Sequence, residues 1–394
     1  MGAYAINFTR SDIDDLDPQH ARDGTVFEDY GFDIKQRIGI SVVYSLIAIT
    51  GMAGNACVFM AVLLSRKLHT LTNILVVNLS ITDFLACCSI LVQSVVLVTS
   101  DKFLKVVPTQ LCVLAGAVNF VSVSNSLMTL TLIAFMRWYV ITRSIRGQRG
   151  LHTPGKVATL IIITWIFSLV SMILPPALGL GTLGYSAAYH QCLTIDENKL
   201  VAYLSMLQSG GCFTFVAIAL SFYFAIYLFV RKNTRAFSLR LSKTEEIQNV
   251  QESRTNIELD EVKDCHEQSL KQSEQRCQMD ALFRDREWRI TKNLLVVFCI
   301  FLICFIPFAV TLAIPGGSLS NVYTTALLYL NACINPVVYC LKHDQFKEVL
   351  RPMLRCRWSK IPQPTKLLRL CFHRSDRVLQ SPNTTSTSAL IKRM

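Results

Sequence analysis

The chain has 394 residues, of which 52% are hydrophobic and only 17% charged, with a formal net charge of +12. That is too apolar for an ordinary soluble domain of this length. The basic excess does not read as a nucleic-acid surface, because no basic stripe interleaved with aromatics lies outside the apolar runs; membrane topology and attraction to anionic lipid account for it.

Residues 1–37 are acidic, with Asp12, Asp14, Asp15, Asp17, Asp23, Glu28, Asp29 and Asp33. They lack the apolar core of a signal peptide, so the first apolar run is expected to start insertion. Asn7-Phe8-Thr9 is a glycosylation sequon. Met1-Gly2 is a poor myristoylation match, because Ile6 stands where Ser or Thr is favoured.

Seven apolar runs follow, each of about 20 residues or more, the length that crosses a hydrocarbon core. They are Ile38 to Leu64, Ile74 to Val98, Leu111 to Ile141, Val157 to Leu178, Val201 to Val230, Leu294 to Ile314 and Val322 to Leu341. In lipid every backbone amide must be satisfied within its own segment, so each run is predicted to be a helix. The fold class expected is an all-α membrane protein, a seven-helix bundle over 38–341. Arg66 and Lys67, then Arg143, Arg146, Arg149 and Lys156, then Arg231, Lys232 and Arg235 mark alternate loops as cytoplasmic. That puts the N-terminus outside and the C-terminus inside.

Outside the bundle, residues 232–286 are rich in Glu, Gln, Ser, Lys and Arg, a composition that favours disorder in the middle with helical extensions at both ends. Residues 342–356 hold an amphipathic stretch, Asp344 to Arg355, with Phe346, Val349, Leu350 and Leu354 at helical spacing. A short eighth helix on the inner leaflet is expected, with Cys356 at its end as a candidate for palmitoylation. Residues 357–394 read as a solvated, disordered tail, in which Ser381, Thr384, Thr385, Ser386, Thr387 and Ser388 are candidate phosphosites.

Of 14 cysteines, only Cys112 and Cys192 fall on the outer side of this topology, which predicts one disulfide between them. The rest read as small buried hydrophobes or free thiols, and none forms a CxxC pair that would suggest zinc. Polar groups at bilayer depth are costly and mark function. Asp83 stands alone in the second run. Asn55, Asn119, Ser122, Ser124, Asn125, Ser126, Asn331 and Asn335 are candidates to converge on it, or to join helices by ordinary hydrogen bonds. Arg137 is a second deep charge. Pro307 and Pro336 interrupt the sixth and seventh runs in mid-membrane, which suits a hinge.

In order and at matching spacing, these residues resemble the rhodopsin-like G-protein-coupled receptors across all seven helices. Gly54-Asn55 is similar to the first-helix motif, Asn78-Leu79-Ser80-Ile81-Thr82-Asp83 to the second, and Trp165 to the fourth-helix tryptophan. Cys304-Phe305-Ile306-Pro307 is similar to the sixth-helix CWxP motif. Asn335-Pro336-Val337-Val338-Tyr339 is the NPxxY motif, with Phe346 beyond it as at the family's eighth helix. Cys112 precedes Arg137 by the family's spacing of 25 positions.

The resemblance implies a plasma-membrane receptor, not an enzyme, in which an extracellular ligand drives an outward swing of the sixth helix about Pro307. The opened crevice takes a heterotrimeric G protein against Arg137, Tyr223 and Tyr339. Asp83, Ser126, Asn331 and Asn335 match positions around an allosteric sodium ion. Glu287 matches the acidic partner of Arg137, and the Ser/Thr cluster suits a receptor kinase and arrestin.

Departures from the family pattern bear on function. Met136-Arg137-Trp138 lacks the usual carboxylate before the arginine, which points to raised basal activity or atypical coupling. Phe305 replaces the usual tryptophan, and Phe215 stands where the fifth helix usually has proline. Asn119 occupies the position of the aminergic aspartate, so a non-aminergic small molecule, a lipid-like molecule or a short peptide is expected near Asn119, Phe305 and Tyr329. The pattern loosely resembles melatonin-receptor-like and invertebrate orphan receptors. An opsin is excluded because Tyr329, not lysine, holds the retinal position. A transporter is disfavoured because only Asp83 and Arg137 are deep, at different levels. A decoy receptor that binds ligand without coupling stays open as the alternative.

Overall fold

The computed structural model describes residues 33–99, 109–143, 153–186, 190–195, 210–232, 288–311 and 320–370. Seven helices are long and apolar enough to cross a membrane: α1 (Ile34–Leu64), α2 (Leu71–Val98), α3 (Thr109–Arg143), α4 (Pro154–Ala177), α5 (Gly210–Lys232), α6 (Trp288–Thr311) and α7 (Ser320–Lys342). Most begin a few residues before the apolar run that predicted them; α6 starts at Trp288 rather than Leu294. A helix rises about 1.5 Å per residue and continues through the polar boundary wherever its amides can pair internally.

Local chemistry sets the ends. Thr70 caps α2 by accepting from the Asn73 amide at 3.3 Å. Arg37 of α1 donates to the terminal carbonyls of α2, from Nε to Leu97 O at 2.7 Å and from Nη2 to Thr99 O at 3.0 Å. Pro154 opens α4 at a position that needs no amide. Gly179, at φ 71°, closes it in the left-handed conformation, with the Leu180 amide bonding back to Pro175 O at 2.9 Å.

An antiparallel hairpin, β1 (Thr182–Ser186) and β2 (Gln191–Ile195), pairs Tyr185 with Cys192 and lies over one end of the bundle, called here the hairpin end. Within the bundle, a continuous apolar core runs through Leu75, Leu79, Leu127, Ile133, Phe298, Phe301 and Tyr339. At α1 and α7 the backbones come unusually close, because a Cβ on Gly54 would lie 2.9 Å from Cβ of Pro336.

At the opposite end α8 (Asp344–Leu354) turns away from α7. Its buried stripe is Phe346, Val349, Leu350 and Met353; Leu354, expected in that stripe, is 62% exposed. Spacing of three and four residues from Phe346 reaches Met353 one full turn after Val349 and Leu350, leaving Leu354 on the outer face.

The expectation of a disordered chain from residue 357 does not hold for 357–370. A short 3-10 helix, Trp358–Lys360, and a helical turn at 366–370 bracket a strap that folds back on the loop between α1 and α2. Ser65 Oγ donates to Pro362 O at 2.6 Å, the Arg66 amide to Gln363 O at 2.9 Å, and the Thr365 amide to Leu64 O at 3.0 Å. Ile361 and Leu368 are buried.

Candidate functional site

Asp83 of α2 is buried at the centre of the bundle. Ser126 Oγ of α3 donates to its Oδ1 at 3.0 Å, and Asn335 Nδ2 of α7 donates to its Oδ2 at 2.7 Å. One carboxylate thus ties three helices by charge-assisted bonds. Of the other candidates, Asn119, Ser122 and Asn331 share with Asp83 and Ser126 the lining of a small cavity. Asn55 and Asn125 do not reach Asp83. Asn55 Nδ2 bonds to Gly51 O at 2.9 Å and Ala332 O at 2.7 Å, and Asn125 Nδ2 bonds to Thr82 Oγ1 at 3.0 Å, so both act as helix ties.

This donor set fits a small hard cation. Beside the carboxylate, Asn331 Oδ1 and Asn335 Oδ1 are buried acceptors that receive no hydrogen bond. Orphaned oxygens around a buried carboxylate are what such an ion binds, and their desolvation is otherwise uncompensated.

Asn119, Tyr329 and Phe301 also wall the cavity. Tyr329 is buried and stands edge-on to Tyr44 of α1, with centroids 5.0 Å apart. The Tyr44 hydroxyl donates to Val322 O at 3.3 Å and accepts from Gln191 Nε2 of the hairpin at 2.9 Å. Phe305 is stacked on Phe301 at 5.4 Å and meets Phe213 of α5. One turn of α6 separates the two rings, and it is Phe301 that faces the cavity. Tyr44, Gln191 and Phe301 were not singled out by sequence. They are ordinary aromatic or amide residues, and only the fold juxtaposes them.

The disulfide joins Cys112 and Cys192, with Cα atoms 5.2 Å apart, and so fastens the hairpin to α3. Gln93 of α2 reinforces it. Its Nε2 donates to Cys192 O at 2.6 Å, and its Oε1 accepts from the Cys192 amide at 2.8 Å.

At the opposite end Arg137 is enclosed, 5% exposed, within electrostatic reach of Tyr223 and of His343. Met136 is buried in the apolar core, and Trp138 packs on Phe222 and Phe135. Tyr223 meets Phe298 of α6 at 5.5 Å, and Tyr339 stacks on Phe346 at 5.5 Å. Burial, and then the nearby Arg137 guanidinium, lower the His343 imidazole to about 4. Asn293 of α6 donates to Lys342 O at the end of α7 at 2.7 Å. Phe215, at the expected proline position, offers its carbonyl to Thr131 Oγ1 at 3.3 Å and its ring to Phe167. Asn7, Glu287 and the Ser/Thr cluster lie outside the described residues.

Seven apolar helices around a buried carboxylate, with a disulfide-pinned hairpin over one end, define a multi-pass membrane protein of the receptor type. Residues 54–339 match the family described as 7 transmembrane receptor (rhodopsin family), and the chain belongs to that family, whose members are receptors and not enzymes. It is 24% identical over 330 residues to the alpha-1A adrenergic receptor of Oryzias latipes, covering 80% of this chain and 66% of that protein. With the 5-hydroxytryptamine receptor 1B of Cricetulus griseus it shares 24% over 347 residues, covering 81% and 87%. With the G-protein coupled receptor moody of Drosophila melanogaster it shares 23% over 358 residues, covering 83% and 52%. The chain therefore spans less than two thirds of the length of two of these relatives. In fold it is similar to squid rhodopsin, with a TM-score of 0.62 and 18% identity over 89% of this chain and 93% of that one.

Proposed function

We propose that the chain is a plasma-membrane receptor, with its N-terminus and hairpin outside, that transmits binding of a non-aminergic extracellular ligand to a heterotrimeric G protein. The observation that carries this reading is the Asp83 network: one carboxylate joins α2, α3 and α7 and shares the lining of a small cavity with Asn119 and Tyr329. A cation held by Asp83, Ser126, Asn331 and Asn335 would favour one helix arrangement, and a ligand acting from above would favour another. Outward movement of α6 about Pro307 then opens the end that holds Arg137, Tyr223 and Tyr339, with Pro336 giving α7 its own hinge.

The cavity supports the non-aminergic assignment. Among the described residues its lining holds one carboxylate, Asp83, already engaged by two donors, and Asn119 stands where an ammonium group would need a counter-ion. A neutral molecule, lipid-like or peptidic, fits Asn119 and Tyr329 better. Met136 supports raised basal activity. It gives Arg137 no neighbouring carboxylate in the sequence. The exposed Cys356 at the end of α8 suits palmitoylation, and Asn7 suits glycosylation. The tail Ser/Thr cluster suits kinase and arrestin recognition.

The test is G-protein dissociation in cells expressing the full chain, without ligand, beside Arg137→Ala and Met136→Asp. Signal above vector cells, lost in Arg137→Ala and reduced in Met136→Asp, is the expected result. Silence in all three, persisting across a ligand screen, would instead identify a receptor that binds without coupling.

A further inference from the structure

We infer that the strap over residues 357–370, together with the end of α8, forms a built binding surface for anionic phospholipid headgroups. From Val349 to Leu370 the chain carries Arg351, Arg355, Arg357, Lys360, Lys366 and Arg369 and no acidic residue. All six are exposed, and among the described residues none is in an ion pair. Among the described residues, the acids nearest in sequence are used elsewhere: Glu348 pairs with Lys67, and Asp344 with Lys347.

Position supplies the second argument. The Thr365 amide bonds to Leu64 O, and Leu64 is the last residue of the membrane span α1. A segment bonded there lies at the level where acyl chains meet headgroups. Its outward side chains match that boundary, because Leu354, Trp358, Leu367 and Leu370 are 37–64% exposed among the cations. Apolar groups beside Lys and Arg, with an exposed tryptophan, are the composition of an interfacial element.

The strap is also held. Three hydrogen bonds to Leu64, Ser65 and Arg66, and the buried Ile361 and Leu368, fix the cations in one arrangement. A fixed surface binds without first ordering a chain, unlike a floating basic tail. The inference rests on the reading that this end faces the cytosol, where the anionic leaflet lies.

The experiment uses the full chain in detergent micelles, titrated with a fluorescent short-chain phosphatidylserine and, separately, the matching phosphatidylcholine. Preference for the serine lipid is expected. In Lys360→Gln/Lys366→Gln/Arg369→Gln its affinity should fall about fivefold per charge, up to about a hundredfold. In Ile361→Ser/Leu368→Ser, which frees the strap and keeps its charge, affinity should also fall, though less. Soluble glycerophosphoserine should not displace the lipid. Equal binding of the two lipids, an unchanged charge variant, or displacement by the soluble headgroup would overturn the inference. So would an unchanged anchor variant, since a flexible polybasic tail would then suffice, or a charge variant that weakens only G-protein affinity. Antibody access to the tail in intact and permeabilised cells tests the orientation separately, so failure of that reading and failure of the lipid surface are told apart.

Discussion

Removing the Gln93 side-chain amide should loosen the hairpin more than its disulfide alone would suggest. Gln93 is buried and makes two bonds to the backbone of Cys192, at 2.6 and 2.8 Å. Cys192 pairs with Tyr185 in the hairpin, and its amide and carbonyl point outward to α2. Gln93→Leu keeps much of the volume and leaves both groups enclosed. Each stranded polar group costs about 1–3 kcal/mol. The hairpin sits at the mouth of the bundle and can tilt towards water, so the lower part of the sum applies, about 2–3 kcal/mol. Local opening then becomes easier, and hydrogen exchange of the 190–195 peptide in the purified receptor should quicken by about 30- to 150-fold. Gln93→Glu, which can still accept from the Cys192 amide, should fall between. Exchange within about twofold of wild type in Gln93→Leu would refute the reasoning and leave the disulfide as the sole restraint.

Gly54→Ala places a methyl against the rigid Pro336 ring, at 2.9 and 3.0 Å. Overpacking of this kind costs about 1–3 kcal/mol, read as a lower unfolding temperature in detergent, whereas Gly39→Ala, with open space around it, should not lower it. His343 has its pKa depressed to about 4, so protons bind the unfolded chain first as pH falls. Its neutral burial is unopposed above about 6.5, and stability is lost progressively from there down through 4, by about 2 kcal/mol at pH 5. Thermal unfolding against pH should show this slope, and His343→Asn should flatten it. Asn293→Ala removes the bond from α6 to the end of α7. If movement of α6 breaks that bond, its loss of about 1 kcal/mol should raise ligand-free G-protein dissociation about fivefold, and an unchanged basal signal would show that the bond survives the movement.

The spans were legible because lipid offers the backbone no partner, which forces long apolar helices whatever the details. The Asp83 network was legible for a related reason: a carboxylate at bilayer depth must find donors, and Ser126 and Asn335 are at hand in neighbouring helices. The strap was not legible. Pro362-Gln363-Pro364 reads as irregular chain, and its two buried anchors, Ile361 and Leu368, are seven residues apart in a basic stretch. Two of its three bonds run to backbone atoms of Leu64 and Arg66, which no side-chain pattern announces. Gln93, Tyr44 and Gln191 escaped notice because neutral amides and a phenol carry no charge penalty to flag them.

Asn78 offers its amide in two directions: Nδ2 donates to Thr129 Oγ1 of α3 at 2.8 Å, while Oδ1 accepts from Trp165 Nε1 of α4 at 2.9 Å. Sliding α4 past α2 would strand an indole N–H and a buried carbonyl together, whereas sliding α6 past α7 breaks the exposed bond from Asn293 at one end and the part-buried Thr311–Thr324 hydroxyl contact, 2.9 Å, at the other. By these bonds α4 is tied to α2 more firmly than α6 is to α7. The asymmetry needs no flexible loop or weak packing, because it follows from which amides have spent both of their bonding ends.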